Sequence, residues 1–309
     1  MSSGPPPSLR SLLFVPGDSE RKQARALASA ADALILDLED SVDPSHLAAA
    51  RARVLQVVRA QAAGATPQLW VRINPPAGAL WREDLQGLFG TAAVRVPAGL
   101  VLPKVSSALE ILEVAEHLDA LEAHCRLAPG TTRLLVIATE TPAGLLNLPQ
   151  YPALLAASAA RARLAGLTWG AEDLGAALGA LGKRDAAGAL TFTFQMARTA
   201  CLLAAAALGI QAIDGVYTDF RDGAGLREEL QHARRDGFSG KLAIHPEQIT
   251  AINAAFTPSE AERAHARRVL AAFAAAPGAG VVSLDGQMID RPHLLQAQRV
   301  LAAPEGAEE

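Results

Sequence analysis

An apolar run leads into an acidic residue and a glycine-containing loop twice in this chain, at RLLVIATETPAG (residues 133–144) and at ARLAGLTWGAEDLG (residues 162–175). The acidic residues are Glu140 in the first stretch and Asp173 in the second. Apolar runs of this kind are typical of strands buried on both faces, and parallel α/β folds carry their chemistry in the loops that follow such strands. The two stretches therefore predict an α/β fold and an enzyme.

Eight short apolar runs recur along the chain, and Ala-, Leu-, Arg- and Glu-rich stretches with helical periodicity separate most of them. The predicted strands cover residues 11–15, 33–37, 68–73, 99–103, 133–139, 163–169, 212–217 and 241–244. Polar residues follow nearly every run, whereas an open, doubly wound sheet would collect them at one switch point. The pattern therefore predicts a TIM (β/α)8 barrel with a C-terminal helical extension.

The same pattern divides the chain into three parts. We expect a flexible arm without a signal peptide at residues 1–9, the barrel at residues 10–254, and the helical extension at residues 255–309. The barrel needs no such extension to close. We therefore expect it to act as a lid over the barrel mouth or as an oligomer contact, with an extra outer layer on its own barrel as the alternative.

Composition and charge exclude several kinds of partner. The chain has 309 residues, 50% of them hydrophobic, which suits one large barrel domain with a sizeable core. Its 28 basic and 32 acidic residues leave a net charge of −4, which gives no reason to expect nucleic acid or an anionic membrane. The two cysteines form neither a disulfide framework nor a metal motif, and the apolar runs are too short to span a bilayer. We therefore expect a cytoplasmic protein.

The acidic pair is the strongest candidate for a metal site. One β/α unit separates Glu140 from Asp173, so the two carboxylates should lie on adjacent strands at one rim of the barrel. Two hard oxygen ligands without a Cys or His cluster favour Mg²⁺, or Mn²⁺, over Zn²⁺. The alternative is that each carboxylate only caps the following helix, and Glu172 would replace Asp173 if the loop points differently.

A cation ends the apolar strand in WVRINP (residues 70–75). The guanidinium of Arg72 would be desolvated there unless it met an anion, and its planar fork suits a carboxylate or an oxygen that becomes negative during reaction. An ion pair with Asp37, Glu39 or Asp40 is the alternative, and both interpretations can hold together. Arg72 is therefore a candidate for substrate binding and catalysis.

Further charged side chains are candidates for substrate binding. Asp37 and Glu39 crowd the end of the strand in DALILDLEDSV (residues 32–42), where like charges raise a pKa unless cations lie nearby. Lys104, in GLVLPKV (residues 99–105), either contacts substrate or supports this acidic cluster. A Schiff-base role for Lys104 is disfavoured because a metal site makes that chemistry redundant.

A basic cluster follows the first predicted strand. Arg21, Lys22 and Arg25 come directly after the turn Pro16-Gly17, on what should be the start of a helix. Such a cluster at the barrel rim can bind the phosphates of a nucleotide-like ligand. A solvated helix face is the alternative.

Eight motifs in this order resemble the citrate lyase beta subunit group of the HpcH/HpaI aldolase family of metal-dependent TIM barrels. They are RSLLFVPG, DALILDLEDSV, WVRINP, GLVLPKV, IATETPAG, LTWGAEDLG, YTDFRD and LAIHP. The resemblance implies Mg²⁺ held by Glu140 and Asp173, with Arg72 beside the thioester or enolate oxygen of the substrate. It also implies that MIDRP (residues 288–292) reaches a neighbouring subunit's site, where Asp290 acts as acid or base.

The same resemblance implies a reaction. The expected activity is Mg²⁺-dependent cleavage or formation of a 3-hydroxyacyl-CoA thioester, such as malyl-CoA or citramalyl-CoA. Cleavage would give acetyl-CoA and a 2-oxo acid. The basic cluster would then meet the CoA phosphates, and the protein would be a homo-trimer or hexamer. Three alternatives stay open: a citryl-thioester lyase subunit that works with an acyl carrier protein, a CoA-independent pyruvate aldolase, and a non-catalytic subunit.

Overall fold

The computed structural model describes residues 9–62, 64–90 and 95–303, and these residues group into two compact units. The first unit is Leu9–Ile252, and the second begins at Asn253. The predicted arm at residues 1–9 lies outside the described residues except for Leu9, which is buried. The division at residues 252 and 253 falls two residues before the predicted start of the extension.

The first unit contains eight parallel strands that close into a barrel, with β1 hydrogen-bonded to both β2 and β8. The strands are β1 (Ser11–Pro16), β2 (Ala33–Asp37), β3 (Gln68–Arg72), β4 (Gly99–Leu102), β5 (Arg133–Ile137), β6 (Leu164–Thr168), β7 (Gln211–Asp214) and β8 (Gly240–Ala243). All eight predicted strands are present within a few residues of their expected bounds. The predicted TIM barrel is confirmed.

Helices follow the strands along the chain. The α-helices of this part are α1 (Glu20–Leu27), α2 (Leu47–Ala60), α3 (Leu80–Phe89), α4 (Ala108–His124), α5 (Pro142–Asn147), α6 (Tyr151–Leu155), α7 (Ala171–Leu178), α8 (Phe192–Leu208), α9 (Gly223–Asp236) and α10 (Ile249–Phe256). Short 3₁₀ helices lie at Pro44–His46, Leu148–Gln150, Ala159–Ala162 and Pro246–Gln248. Among the described residues, no helix combines the length and the apolar character needed to cross a membrane.

Alternate strand residues fill the inside of the barrel, as the pleat of a β-strand requires. Leu12, Ile35, Val101 and Ile213 belong to this interior cluster, together with the fully buried indole of Trp70. A Cβ on Gly99 would lie 2.2 Å from the Trp70 ring, so the ring fits only because β4 begins with glycine. The apolar interior positions the polar strand ends around a common rim.

Outward-facing residues of β7 and β8 form a buried charge network with the surrounding helices. Asp214 is fully buried and accepts hydrogen bonds from Lys241 at 2.9 Å, Arg198 at 2.9 Å and the Trp169 indole at 2.7 Å. Burial alone would raise the pKa of Asp214, but the charges of Lys241 and Arg198 and these hydrogen bonds lower it to about 2. The network therefore stabilises the folded state wherever Asp214 is ionised.

We expect Asp214→Asn to destabilise the protein by about 3 kcal/mol at neutral pH, because it leaves buried cations without their anion. In the wild type, the contribution of the lowered pKa is fully present above the unfolded pKa of about 3.9 and disappears as the pH falls towards 2, a loss of about 2 kcal/mol. Urea unfolding between pH 6 and pH 2 measures both effects. Asp236→Asn is the matched control, since Asp236 pairs with the same Arg198 but is half exposed and should change stability little.

The second unit contains the helices predicted for the extension. It also contains a β-hairpin, which the sequence analysis did not predict. Its helices are α11 (Glu260–Ala274) and α12 (Arg291–Ala302), and between them β9 (Val281–Leu284) pairs antiparallel with β10 (Gln287–Asp290). Asp285 and Gly286 form the two-residue turn with positive φ at both positions, as this class of hairpin requires. Ala266, Val269, Ile289 and Ala297 form its small apolar core.

Candidate active site

A cavity of about 600 Å³ opens at the carboxyl ends of the barrel strands. Every residue that lines it belongs to the first unit, and its wall combines apolar side chains such as Ile137 and Trp169 with charged ones. The predicted site residues among its lining are Arg21, Lys22, Arg25, Asp37, Arg72, Glu140 and Asp173. The fold thus brings together side chains that are up to 152 positions apart in the chain.

Arg72 pairs with Asp37 across adjacent strand ends, because β2 and β3 place the two residues in register. The guanidinium donates from Nε to Oδ1 at 2.6 Å and from Nη2 to Oδ2 at 2.7 Å, and Nη1 lies 3.0 Å from Glu39. Burial would raise the pKa of Asp37, but the hydrogen bonds and charge of Arg72 hold that pKa below its usual value. The predicted ion pair is therefore present, and the guanidinium still lines the cavity.

Lys104 joins the acidic cluster to the predicted metal ligands. Its ammonium contacts Glu39, lies 2.7 Å from Asp40 and 3.5 Å from Asp173. Burial alone would lower the pKa of Lys104, but these carboxylates raise it above its usual value, so the ammonium stays charged. Of the two predicted roles, support of the acidic cluster is the one that these contacts provide. Glu39 and Lys104 are not in the cavity lining among the residues described, so their contact with substrate stays a prediction.

Glu140 is almost fully buried at the end of β5, with only 4% of its surface exposed. Its Oε2 accepts a hydrogen bond from the backbone amide of Lys104 at 2.6 Å. Burial raises the pKa of Glu140 to about 8; the Lys104 amide and the charge of Arg72 oppose the rise, and the charges of Asp173 and Glu39 add to it. The protonation of Glu140 therefore depends on its burial and on the charges of Asp173 and Glu39.

The capping alternative fails for Glu140 and holds in part for Asp173. Thr141, not Glu140, caps α5, since its hydroxyl accepts from the Gly144 amide at 2.9 Å. Asp173 lies in the first turn of α7, where its charge suits the helix dipole, but the contact recorded for it within the described residues is with Lys104. Glu172, the alternative ligand, pairs instead with Lys183.

Gly170 leaves the space that the Glu140 side chain occupies. A Cβ built on this glycine would lie 2.4 Å from Cγ of Glu140 and 2.9 Å from Oε1. A contact below 3.0 Å forces the side chain to move, and Glu140 has little room to do so because it is buried. A glycine is therefore needed at position 170 because the Glu140 side chain, which follows β5, packs against it. The sequence alone did not indicate this contact.

We expect Gly170→Ala to displace the Glu140 carboxylate and to weaken divalent-metal binding about tenfold or more, because a ligand misplaced by an ångström loses its geometry. Calorimetric titration with Mg²⁺ measures the change, with thermal unfolding as a check on the fold. Gly182→Ala is the matched control, since a Cβ there meets nothing closer than 3.8 Å. Unchanged affinity in Gly170→Ala would contradict the role of Gly170.

The charges and donors at this site fit a hard divalent cation. The described residues hold no group of three or more His, Cys, Asp or Glu side chains arranged for a metal, so Glu140 and Asp173 would supply two protein oxygens. That is a common arrangement for Mg²⁺, which keeps water and substrate oxygens as its other ligands. Five carboxyl groups share two cations in the cluster, so a divalent cation would stabilise the ionised form of buried Glu140. The list is Asp37, Glu39, Asp40, Glu140 and Asp173 against Arg72 and Lys104.

The basic cluster lies on α1, at the rim of the same cavity. Arg21, Lys22 and Arg25 are all exposed, and none of the three has a recorded ion pair within the described residues. The buried face of the helix carries Gln23 and Ala26 instead, with Gln23 bonded to the carbonyls of Pro16 and Gly17. These three cations are therefore available to an anionic ligand that reaches into the cavity.

Asp290 lies in the second unit, at the N-cap of α12. Its Oδ1 is 2.6 Å from Nδ1 of His293, and the carboxylate is 40% exposed. A short contact with an imidazole is compatible with proton transfer, but it also satisfies the helix end. The role implied for Asp290 stays a prediction.

Two features of this site were absent from the sequence interpretation. The backbone amide of Lys104 bonds Glu140, and the Trp169 indole, which lines the cavity, donates to buried Asp214. A backbone donor leaves no trace in residue identity. The tryptophan after β6 was visible, but nothing in the sequence indicated its partner.

A closed parallel barrel with an acidic, metal-suited centre at its carboxyl rim defines a class, the (β/α)8-barrel enzymes that work with a divalent cation. A family model described as HpcH/HpaI aldolase/citrate lyase matches residues 10–246. The chain belongs to this family. The resemblance drawn from the eight motifs is confirmed, and with it the assignment to enzymes that act on carbon–carbon bonds.

Three known proteins are similar along nearly the whole chain. A (3S)-malyl-CoA thioesterase from Cereibacter sphaeroides is 37% identical over 96% of this chain and 94% of its own length. The mitochondrial citramalyl-CoA lyase of Homo sapiens is 34% identical, covering 94% and 84%. A crystal structure of the protein CitE from Mycobacterium tuberculosis, in complex with magnesium, acetoacetate and coenzyme A, is 35% identical with a TM-score of 0.73, covering 96% and 97%.

Proposed function

We propose that this protein is a Mg²⁺-dependent lyase that cleaves or forms a 3-hydroxyacyl-CoA thioester, such as malyl-CoA or citramalyl-CoA. The products of cleavage are acetyl-CoA and a 2-oxo acid. The observation that carries the proposal is one cavity with two charged regions, an acidic centre that suits a divalent cation and a basic rim that suits phosphates. The magnesium, acetoacetate and coenzyme A bound by a relative at 35% identity support it.

In this proposal, Glu140 and Asp173 hold the metal ion. When bound, Mg²⁺ supplies Lewis acidity to oxygens of the substrate. Lys104 and Arg72 would balance part of the negative charge of the surrounding carboxylates, and both proposed ligands line the cavity. The basic residues Arg21, Lys22 and Arg25 would bind the phosphates of CoA.

The protein groups would share the remaining steps. As the carbon–carbon bond breaks, the substrate hydroxyl would give its proton to a carboxylate base and become the carbonyl of the 2-oxo acid, and the bonding pair would pass to the departing acetyl thioester as an enolate. Arg72 would stabilise the negative charge that grows on the thioester oxygen. A carboxylic acid, for which the family resemblance implies Asp290, would protonate the enolate carbon.

Thioester hydrolysis is a second candidate function. The relative from Cereibacter sphaeroides is named a thioesterase for (3S)-malyl-CoA, and its identity to this chain is at least as high as that of the lyase. Hydrolysis breaks the carbon–sulfur bond and releases free CoA, whereas lyase cleavage leaves the thioester intact. The two reactions therefore differ in a directly measurable product.

One assay separates these possibilities. Purified protein with Mg²⁺ and malyl-CoA or citramalyl-CoA is expected to release glyoxylate or pyruvate, trapped as the phenylhydrazone, without free thiol. Appearance of thiol without a 2-oxo acid would indicate a thioesterase. EDTA should abolish the activity, and added Mg²⁺ should restore it. Failure to turn over any free CoA ester would favour the carrier-protein alternative, which needs a citryl thioester on a protein partner.

Replacing the basic cluster should affect substrate binding more than chemistry. We expect Arg21→Ala/Lys22→Ala/Arg25→Ala to raise KM for the CoA ester about tenfold or more with little change in kcat, because lost phosphate contacts remove binding that is equal in ground and transition states. Steady-state kinetics at low ionic strength measures this. Arg53→Ala is a control on the neighbouring helix α2, where the arginine pairs with Glu20. A loss confined to kcat would contradict phosphate binding.

The assembly and location complete the proposal. We infer a homo-trimer or hexamer in the cytoplasm, with the extension after residue 254 as a lid or oligomer contact. Sedimentation equilibrium of the full chain and of a chain ending at residue 254 tests this assignment. An unchanged oligomer in the shortened chain, if it folds, would leave the extension the role of a lid or of an outer layer on its own barrel.

A further inference from the structure

Lys104 adopts a backbone conformation that side chains rarely take. Its φ is 51°, in the left-handed region, and the other described non-glycine residues with positive φ are Arg126 and Asp285. Those two have local explanations, since Arg126 follows the end of α4 and Asp285 forms the β9–β10 turn. Lys104 instead lies at a bend just beyond the buried strand β4, and no backbone turn hydrogen bond closes that bend in the described part of the chain. Strained backbone of this kind collects at functional sites.

The unusual conformation has one clear structural result. The Lys104 amide donates to Oε2 of Glu140 at 2.6 Å, and it is the hydrogen-bond donor recorded for that buried carboxylate within the described residues. If β4 and the chain after Lys104 keep their places, rotation to a negative φ must turn the peptide unit that carries this N–H. The bond to Glu140 would then be lost. Gly170 packs against the other side of this side chain, next to Cγ and Oε1, and Glu140 lines the cavity.

We propose that Lys104 is a positioning residue whose left-handed backbone, more than its ammonium group, sets the Glu140 carboxylate for metal binding. This inference rests on the proposed function, in which Glu140 is a metal ligand. The ammonium has carboxylate partners of its own in Glu39, Asp40 and Asp173, and none of these is Glu140. The amide and the ammonium therefore act on different carboxylates, and substitutions can separate them.

A series of three variants makes the separation. Lys104→Gly, Lys104→Ala and Lys104→Val all lack the ammonium and keep the amide, but they differ in how easily they adopt positive φ. Glycine adopts it freely, alanine with some strain, and a β-branched residue hardly at all. Any difference in metal affinity among the three therefore reports on the backbone. Electron paramagnetic resonance of free Mn²⁺ measures the affinity without substrate and without turnover.

We expect Lys104→Gly to bind Mn²⁺ within about threefold of wild type and Lys104→Val to bind it about tenfold or more weakly, with Lys104→Ala between them. Equal losses in the glycine and valine variants would overturn the proposal in favour of the ammonium. Wild-type affinity in all three would overturn it as well. If Lys104→Val does not fold by circular dichroism, the glycine and alanine variants carry the comparison, and equal affinities there have the same meaning.

Two controls keep this inference distinct from the proposed function. Arg126→Gly and Arg126→Val repeat the backbone change at an exposed position remote from the cavity, and should alter stability without altering Mn²⁺ affinity. Glu140→Gln tests the ligand itself. If wild type binds no Mn²⁺, or if Glu140→Gln binds it equally well, the proposed metal site fails and this inference fails with it. If Glu140→Gln loses Mn²⁺ while the Lys104 series shows no order, only this inference fails.

Discussion

Glu140→Gln is expected to abolish measurable Mg²⁺ binding and to lower kcat/KM by about a thousandfold or more, because a metal-dependent reaction loses a charged ligand in a buried site. Glutamine keeps the size of the side chain and can still accept the hydrogen bond from the Lys104 amide. The substitution therefore removes charge and ligation with little change in packing. Asp173→Asn should have the same effect on metal binding, since it removes the second oxygen ligand.

Stability distinguishes this result from unfolding. The metal-free Glu140→Gln protein should be no less stable than the metal-free wild type at neutral pH, because burial raises the pKa of Glu140 to about 8 and glutamine then replaces a side chain that is mostly uncharged. Mg²⁺ should raise the Tm of wild type but not of the variant. Glu172→Gln is the matched control on the neighbouring residue and should keep metal binding. If Glu172→Gln lost metal binding and Asp173→Asn kept it, Glu172 and not Asp173 would be the second ligand.

Arg72→Met is expected to lower both stability and activity. It leaves Asp37, whose side chain is 2% exposed, without the guanidinium that neutralises it, which should destabilise the protein by about 3–5 kcal/mol at neutral pH. Loss of charge stabilisation at the thioester oxygen should also lower kcat/KM about a hundredfold or more. Urea unfolding and steady-state kinetics measure the two effects separately.

Two comparisons separate the roles of Arg72. Arg72→Met/Asp37→Asn removes both charges, so it should recover much of the stability without recovering activity. Arg163→Met breaks an equally buried pair with Glu122 beside the amino ends of β5 and β6, so it should cost stability while leaving kcat/KM near wild type. If Arg72→Met/Asp37→Asn regains activity along with stability, Arg72 has only a structural role.

The barrel was predictable because its signals are local. Each strand is a short apolar run that ends in polar residues, and burial on both faces removes the alternation that would otherwise complicate the pattern. The run before Glu140 illustrates this, since its four apolar residues appear in β5 as Leu134, Leu135, Val136 and Ile137. The hairpin at β9 and β10 was missed because its exposed, mixed residues resemble a loop, although Asp285-Gly286 is a recognisable turn signal.

The candidate site was predictable only in part. Residue type and position after a strand indicated Glu140, Asp173 and Arg72, since carboxylates and a guanidinium at apolar strand ends need partners. Which charged side chains pair with one another was not predictable from the sequence. Arg72 binds Asp37 because β2 and β3 pair in a particular register, and Lys104 reaches Asp173 because β4 and β6 both flank β5. Registers and distances between strands depend on the whole barrel.

The sequence by itself determined the succession of strands and helices, the family and the chemical types of side chain available at the rim. The tertiary structure alone decided which of those side chains meet and that Glu140 is buried. It also decided that the Lys104 amide donates to the Glu140 carboxylate and that Gly170 packs against it. The physical reason is range. Apolar periodicity and ligand chemistry are properties of neighbouring residues, whereas desolvation, charge coupling and backbone strain exist only once distant segments are packed together.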